Sequence, residues 1–301
     1  MTGVPRDFLW LADSSVLLIT DYAVSKRTPQ GTWTTTSFPC LRSAQTGCVL
    51  RDGTVVIGGH GGILTTQDFT RWKIADGVPT QAFIRALAVD ERTDYVFAGG
   101  WGSYNGIERY TRPGTGLLVS GDHAKSFQPH PLTDRIADVG GRLSINAIEV
   151  QYYGDQQLIL IGGEGSGPGV RRPSPDYPFL FILRDDRLYD PRKLNLRQLS
   201  SLLGQDIITP QHGIKVSVRA RSAFVSSWAR DIAFTSLDAI AHEDWLSWTK
   251  LTAHLAAGEQ FGAGHLRLGR DVHGRELLFV GGAPDGPVAR GFTPIRAIQI
   301  A

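Results

Sequence analysis

The segment Val55-Val56-Ile57-Gly58-Gly59 decides the fold: it is a short β-branched run that ends in two glycines. β-Branched residues favour a buried strand, and glycines at its end indicate a bend or a close approach of the backbone. The pattern recurs in residues 95–100 (YVFAGG), 158–163 (LILIGG) and 277–282 (LLFVGG). We therefore expect each copy to be a buried strand that stops at a bend.

Two weaker copies extend the series, at residues 223–227 (AFVSS) and 16–20 (VLLIT). The resulting six copies recur at uneven spacings of about 40 to 60 residues, which is typical of a repeated supersecondary unit with loops of variable length. Other strand-like segments flank the copies, for example residues 83–89 before one copy and 63–66 after another. Four short strands per repeat, separated by polar turns, describe the blade of a β-propeller.

The sequence thus predicts an all-β chain that forms a single β-propeller domain over residues 1–301. Six blades are expected, and five are the alternative. We expect the N-terminal strand to complete a blade begun by residues 290–300, because such closure hides strand edges. A short helical insertion is predicted near residues 190–204, where Asp190-Pro191 can start a helix and Gly204 can end it.

Bulk composition excludes several classes of protein. The chain of 301 residues is 42% hydrophobic and 20% charged, so it has enough apolar material for a core. Its 31 basic and 29 acidic residues nearly balance, which gives no electrostatic support for nucleic-acid binding. No apolar stretch approaches the ~20 residues that span a bilayer, and no signal peptide is evident. We expect no membrane insertion and a cytoplasmic or particle-associated location; oligomeric state stays open.

The sequence offers no metal or cofactor motif. Cys40 and Cys48 are too far apart for a CxxC pair, and we expect two free, buried thiols in preference to a disulfide. The histidines lack paired ligand spacing, and no HExxH, GxSxG or P-loop occurs. We expect no metal and no cofactor.

Three turns carry an Asp followed by an aromatic residue. Residues 120–127 (SGDHAKSF) resemble the Asp-box of the sialidase-like, or BNR-repeat, propellers, with Ala124 where that pattern has glycine. Residues 66–72 (TQDFTRW) and 242–248 (HEDWLSW) are one residue shorter and are similar to a turn of five-bladed glycoside hydrolases such as family forty-three. The resemblance implies a structural turn, in which the carboxylate accepts backbone N–H bonds and the aromatic side chain packs between sheets. The residues given this structural role are Asp68, Trp72, Asp122, Phe127, Asp244 and Trp248.

The enzymatic motifs of these families are not carried over. Sialidases have an early Arg-Ile-Pro motif, which residues 4–6 (VPR) do not match. In family forty-three an Asp and a Glu act in His-Asp-Pro and Glu-Gly-Pro contexts. The only Asp-Pro here is Asp190-Pro191, assigned to the helix start, and residues 164–168 (EGSGP) match the second motif only loosely. The resemblance therefore implies the fold without the activity.

Propeller topology brings distant residues to one face. The loops after the second strands and the starts of the first strands point to the same end of the central channel, where aromatic, Arg and carboxylate side chains suit a glycan or a peptide. Asn146 lies at such a start. An alternative is that these are ordinary loop residues, with Trp101 and Trp228 packing between blades. The candidate ligand-binding residues are His60, Arg85, Trp101, Tyr104, Arg142, Glu164, Trp228, Arg230 and Asp285.

The sequence favours a non-catalytic binding or scaffold module that recognises a glycan or protein partner, for example as a component of a phage or another large particle. The first alternative is a glycoside hydrolase-like enzyme with a non-standard carboxylate pair, drawn from Glu164, Asp231 and Asp285. Their separation across a pocket would discriminate it. The second alternative is an assembly factor that works through flat, apolar faces.

Overall fold

The computed structural model describes residues 5–101, 115–131, 133, 144–164, 178–184, 187–188, 211–227, 232–242, 249–250, 265–271, 273–281 and 296–300. Their strands form six consecutive antiparallel meanders, which we call blades 1 to 6. Blades 2 and 3 share one eight-stranded sheet, because His60 bridges to Phe83. The number of blades in the complete chain and its single-domain organisation stay predictions.

The strands follow one another in chain order within each blade. Blade 1 contains β1 (Pro5–Trp10), β2 (Val16–Thr20), β3 (Ala23–Arg27) and β4 (Trp33–Ser37); blade 2 contains β5 (Ser43–Val49), β6 (Val55–His60), β7 (Gly62–Thr66) and β8 (Lys73–Ile74). Blade 3 contains β9 (Phe83–Val89), β10 (Val96–Trp101), β11 (Leu118–Ser120) and β12 (Gln128–Pro129); blade 4 contains β13 (Ser144–Tyr153), β14 (Gln156–Glu164), β15 (Pro178–Arg184) and β16 (Arg187–Leu188). Blade 5 contains β17 (Gln211–Ser217), β18 (Ser222–Ser227), β19 (Ile232–Ser236) and β20 (Thr249–Lys250); blade 6 contains β21 (His265–Arg270), β22 (Glu276–Gly281) and β23 (Arg296–Gln299).

The repeated runs all form second strands, namely β2, β6, β10, β14, β18 and β22. The prediction that these strands stop at the glycines is wrong, because Gly58 and Gly59 both lie inside β6. The glycines are required by the neighbouring first strand, which bulges towards them: a Cβ on Gly59 would lie 2.2 Å from the Ser43 carbonyl oxygen. A Cβ on Gly100 would lie 2.0 Å from the Phe83 carbonyl oxygen.

The bulge places one extra residue in the first strand of five blades, at the same register position. Each of these residues is polar. They are Arg6, Gln45, Arg85, Asn146 and His212.

Apolar side chains from neighbouring blades pack into five clusters, one between each consecutive pair from blades 1 and 2 to blades 5 and 6. The first glycine of each pair lacks a Cβ, which leaves space for an isoleucine side chain of the next blade. A Cβ on Gly58 would lie 2.6 Å from Cγ2 of Ile84, and a Cβ on Gly99 would lie 2.6 Å from Cγ2 of Ile145. Ile84 and Ile145 each belong to the first strand of the next blade, so the glycine pattern sets the distance between blades.

Blades 6 and 1 meet at a seam that closes the ring of first strands. Arg267 of β21 forms a bidentate ion pair with Asp7 of β1, and Phe279 of β22 packs against Trp10 with 5.1 Å between ring centroids. The prediction that the N-terminal strand completes a blade with residues 290–300 is wrong for the described strands. β1 pairs with β2, and β23 pairs with β22.

Two further predictions concern local features. The helical insertion expected near residues 190–204 lies outside the described residues. The sequence analysis missed a short helix, α1 (Leu237–Ala241); Ser236 caps it by accepting a hydrogen bond from the Ala239 N–H. Neither it nor any other described helix has the length and apolarity to cross a membrane. Both thiols are free and Cys48 is buried, but Cys40 is exposed, so its predicted burial is wrong.

Candidate functional site

The two ends of the channel differ in which strand ends, and therefore which side chains, lie there. At the end where first strands start and second strands finish, Ser43 pairs with His60, Phe83 with Trp101 and Ser144 with Glu164. We call this the bulge end, because the polar bulge residues lie here, and we call the opposite end the turn end. His60, Trp101 and Glu164 thus occupy equivalent positions in three consecutive blades.

Five side chains from blades 2, 3 and 4 form a connected group at the bulge end, which we call the mouth cluster. The His60 and Phe83 ring centroids lie 6.1 Å apart, and those of Phe83 and Trp101 lie 5.2 Å apart. The Arg85 guanidinium carbon lies 4.8 Å from the Trp101 ring centroid and 5.7 Å from that of Phe83. Asn146 completes the group through a hydrogen bond to Trp101.

That hydrogen bond fixes the orientation of the Asn146 amide. Nε1 of Trp101 lies 2.9 Å from Oδ1 of Asn146, and since indole only donates, the amide oxygen must face it. Trp101 is 1% exposed and Asn146 is 3% exposed. Nδ2 of Asn146 has no hydrogen-bond partner in the described part of the chain. A buried donor without a partner costs roughly 1–3 kcal/mol, so this NH₂ group can donate a hydrogen bond to a water or a ligand in the adjoining cavity.

His60 lies half-buried at the edge of the cluster. Burial, assisted by the positive charge of Arg42, lowers the pKa of His60 below its ordinary value of 6.5. The imidazole is therefore mainly neutral at pH 7 and can donate one hydrogen bond and accept another.

Described residues of the channel line two cavities that differ in size. A cavity of about 30 Å³ at the bulge end is lined by residues that include Arg85, Asn146, Lys215 and Arg267. A larger cavity of about 260 Å³ extends towards the turn end, between Trp10, Glu149 and Leu268 among others. The larger space thus lies towards the end opposite to the mouth cluster.

Paired charges separate the two cavities. Asp7 is 2% exposed and accepts hydrogen bonds from Nε of Arg267 at 2.8 Å and from the Gly47 N–H at 3.0 Å. Although burial opposes its charge, the carboxylate of Asp7 raises the pKa of Arg267. Lys215 similarly donates to Glu149. These carboxylates are neutralised by their partners, and neither has the free position that acid–base chemistry needs.

The Asp turns lie between third and fourth strands, on the outside of blades 2 and 3. Oδ1 of Asp68 accepts the backbone N–H groups of Thr70 and Arg71, both at 2.8 Å, and these bonds lower the pKa of Asp68 to about 2. Oδ1 of Asp122 accepts the N–H groups of Lys125 at 3.1 Å and Ser126 at 3.0 Å. Although partial burial opposes the shift, hydrogen bonds from Ser126 and its neighbours lower the pKa of Asp122 to about 2.

The aromatic residue of each turn packs inward. Trp72 is half-buried against Phe38, with 5.5 Å between ring centroids, and Phe127 is buried in the cluster between blades 2 and 3. Ala124, which stands where the Asp-box pattern has glycine, adopts a φ of 59°. This backbone conformation explains why glycine suits that position.

Some sequence-predicted residues cannot be placed. Only the backbone of Glu164 is described, and its side chain is not. The candidates that lie outside the described residues are Tyr104, Arg142, Trp228, Arg230, Asp231, Asp285, Asp244 and Trp248. Sequence reasoning missed Phe83, which supplies the central ring of the mouth cluster. A search of the described residues for three or more neighbouring His, Cys, Asp or Glu side chains that could hold a metal finds no group.

No family model matches the chain, and no curated protein matches it. Among solved structures, it is similar to virginiamycin B lyase from Staphylococcus aureus, with 8% identity and a TM-score of 0.53, over 91% of this chain and 76% of the lyase. A streptogramin B lyase gives 9% identity and a TM-score of 0.51, over 90% of this chain and 74% of that one.

A third similar structure is the extracellular domain of a putative one-component system from B. thetaiotaomicron. It gives 11% identity and a TM-score of 0.56 over 98% of this chain, which spans only 33% of that domain. At such identities the likeness extends to the fold alone. Together with the antiparallel blades, it shows that the chain is an all-β protein of the propeller kind.

Proposed function

We propose that the protein is a non-catalytic β-propeller that binds a glycan or protein partner through the bulge end of its channel. The observation that carries this proposal is the mouth cluster, in which blades 2, 3 and 4 contribute aromatic rings, a guanidinium and an amide to one place. Because Phe83 and Trp101 are buried, their part in this proposal is to position the polar groups of Arg85, Asn146 and His60.

The cluster is held in place before any partner arrives. Trp101 is fixed by its hydrogen bond to Asn146, and Arg85 is stacked on Trp101 and Phe83. Side chains that already occupy one conformation lose little entropy on binding, so a preorganised cluster favours recognition. His60 extends it to the surface with a neutral donor and acceptor.

Two buried carboxylates of the channel, Asp7 and Glu149, support binding over hydrolysis. A glycosidase places two carboxyl groups roughly 5 to 9.5 Å apart across a pocket, with one or both free to exchange protons or attack the sugar. Asp7 and Glu149 are instead neutralised by Arg267 and Lys215. Their pairing supports a structural role in joining blades.

The proposal is tested by screening the full chain against a glycan array and a displayed library of random peptides, with a hydrolysis assay on the same glycans. We expect capture of a partner without turnover. His60→Ala and Arg85→Gln should each weaken binding about tenfold, or 1.4 kcal/mol. His273→Ala, a matched change of an exposed histidine at the turn end, should leave binding unchanged. Glycan hydrolysis, or binding that neither variant at the bulge end weakens, would contradict the proposal.

A further inference from the structure

The fourth strand of blade 1 is longer than its counterparts in the next four blades. β4 (Trp33–Ser37) has five residues and pairs with β3 along its whole length without a register shift, whereas the fourth strands of blades 2 to 5 have two residues each. Among the described strands, none pairs with the outer side of β4, which ends its sheet. Very short edge strands are one way in which proteins prevent pairing with other chains, and β4 lacks this protection.

The sequence of β4 lacks the other common protections as well. Its residues (WTTTS) include no charged side chain and no proline, and both Trp and Thr favour strands. The side chain of Trp33 is 41% exposed. β4 is therefore a neutral edge that presents unpaired backbone groups and a partly uncovered indole ring to a partner.

The register of the ladder with β3 shows which backbone groups of β4 face outward. The N–H of Thr28 donates to the carbonyl oxygen of Thr32 at 2.9 Å, and hydrogen-bonded pairs alternate along an antiparallel ladder. Every second residue after Thr32 therefore faces β3, and the N–H of Phe38 accordingly donates to the Tyr22 carbonyl at 3.1 Å. The residues whose N–H and C=O groups point away from the sheet are Trp33, Thr35 and Ser37.

These three positions make β4 complementary to a second copy of itself. In an antiparallel pair, outward-facing residues lie directly opposite each other and exchange their N–H and C=O groups. When Thr35 lies opposite Thr35 of the copy, Trp33 lies opposite Ser37 of the copy, so that every outward group has a partner. The indole ring then lies beside a small side chain on the face that the two strands share.

The charges near β4 favour a copy over a charged partner strand. The charged residues of β3 are Lys26 and Arg27. A strand added outside β4 would lie two strand spacings, or roughly 10 Å, from β3, which is a full Debye length in physiological salt. An acidic segment would therefore gain little attraction there. In the paired copies the two β3 strands are three spacings apart, roughly 14 Å, so that their repulsion is screened.

We infer that the protein forms a two-fold symmetric dimer in which β4 pairs with β4 of a second copy, centred on Thr35. Five residues per copy are few against the roughly 20–30 of a standard interface, so we expect a reversible dimer that forms at high protein concentration. β4 is the strand of its sheet farthest from β1, which lines the channel. The contact is thus separate from the mouth cluster, and the inference does not rest on the proposed function.

Cysteine cross-linking tests the register. In a Cys40→Ser background, which removes the exposed native thiol, Thr35→Cys should form a disulfide-linked dimer under mild oxidation. Residues opposite each other in a hydrogen-bonded pair have Cα atoms about 5.5 Å apart, within the range of a disulfide. Ser37→Cys is the matched control, because its two copies lie roughly 14 Å apart, and it should cross-link about tenfold more slowly. Equal rates in the two variants would overturn the inference.

Sedimentation velocity tests whether the unmodified chain dimerises. The parent chain should be monomeric at micromolar concentration and increasingly dimeric towards millimolar concentration. Thr35→Pro removes an outward N–H, leaves the N–H groups that face β3 in place, and should raise the dissociation constant by about tenfold or more. Thr35→Val keeps the N–H and the size of the side chain, and should dimerise like the parent chain.

A parent chain that stays monomeric at millimolar concentration would overturn the inference, and so would a folded Thr35→Pro variant that dimerises like the parent chain. The unfolding midpoint of Thr35→Pro shows whether it keeps the fold. If it does not, the comparison of Thr35→Cys with Ser37→Cys decides, because neither variant changes a backbone hydrogen-bonding group.

Discussion

At the scale of single residues, the environment of His60 gives a pH dependence with a definite sign. Burial lowers the pKa of His60 in the folded chain below 6.5, so the unfolded chain binds the proton more readily. The free energy of unfolding is therefore unaffected by protonation of His60 above pH 6.5. It decreases as the pH falls from 6.5 through the lower pKa of the folded state.

We expect His60→Phe to flatten the loss of stability between pH 7 and 5, since phenylalanine keeps a ring against Phe83 and cannot be protonated. Urea unfolding at several pH values measures this. His273→Phe, at an exposed position, should keep the slope of the parent chain. Identical slopes in both variants would show that His60 does not carry the effect.

Asp122 gives a second prediction at the scale of single residues. Here an acid, and not a base, has the lowered pKa, and stability again decreases as the pH falls. Its pKa of about 2 lies below the ordinary 3.8, so its contribution is present above pH 3.8 and is lost as the pH falls through about 2. Asp122→Ala should cost roughly 1 kcal/mol at pH 7, allowing for solvent screening.

The loss in Asp122→Ala should shrink when urea midpoints are compared at pH 2 instead of pH 7. Asp122→Asn, which keeps the oxygen that accepts from Lys125 and Ser126, should lose less than Asp122→Ala. Asp155→Ala, at a fully exposed position, is the control and should change little. A loss at pH 7 no larger than that of the control would mean that the turn does not need its carboxylate.

At the scale of strands, the glycine pairs are spacers between a bulge and the next blade. Gly100 faces the carbonyl of Phe83 so closely that an added Cβ would lie 2.0 Å from its oxygen. Gly100→Ala should therefore cost about 3 kcal/mol and shift the backbone of β9.

The control for this substitution is Gly53→Ala. No atom lies within 4 Å of a Cβ at Gly53, so only its positive φ of 83° opposes the change, at about 1 kcal/mol. Thermal unfolding of both variants measures the difference. Equal losses would show that the bulge accommodates a methyl group.

These elements also show which features the sequence reveals. The β-branched runs predict second strands because side-chain type reports local burial, and the Asp68 turn is readable because its partners lie within three residues. The bulges were missed, because a polar bulge residue such as Asn146 does not differ in type from other polar residues of its strand, such as Glu149. Contacts such as Phe83 with Trp101 depend on pairing between strands, which no local pattern specifies.

At the scale of the whole molecule, the seam between blades 6 and 1 depends on a charge pair that joins residues 260 positions apart. Removing one partner leaves the other charge buried, which typically costs about 3–5 kcal/mol. Arg267→Met should therefore destabilise the chain by this order and expose the amides of β1 to hydrogen exchange.

Replacing both partners, by Asp7→Leu with Arg267→Met, should recover part of that loss, because neither charge then stays buried. Arg275→Met breaks an exposed pair with Asp271 and should cost less than about 1 kcal/mol. Urea unfolding and hydrogen exchange of the three variants test the seam. Exchange that rises equally in all blades would show that the chain unfolds globally and does not open at the seam.

The same seam has a genetic consequence. Among the described strands, none pairs into another blade at the seam, so blade 1 is one contiguous stretch of the amino-acid sequence, from Pro5 to Ser37. The described strands of the other blades also follow one another in chain order. Tandem duplication or deletion of such a stretch in DNA adds or removes a whole blade and leaves no strand without its sheet. The first and last blades must then form a new seam. This seam needs few conserved residues, namely one Asp–Arg pair and the aromatic side chains beside it.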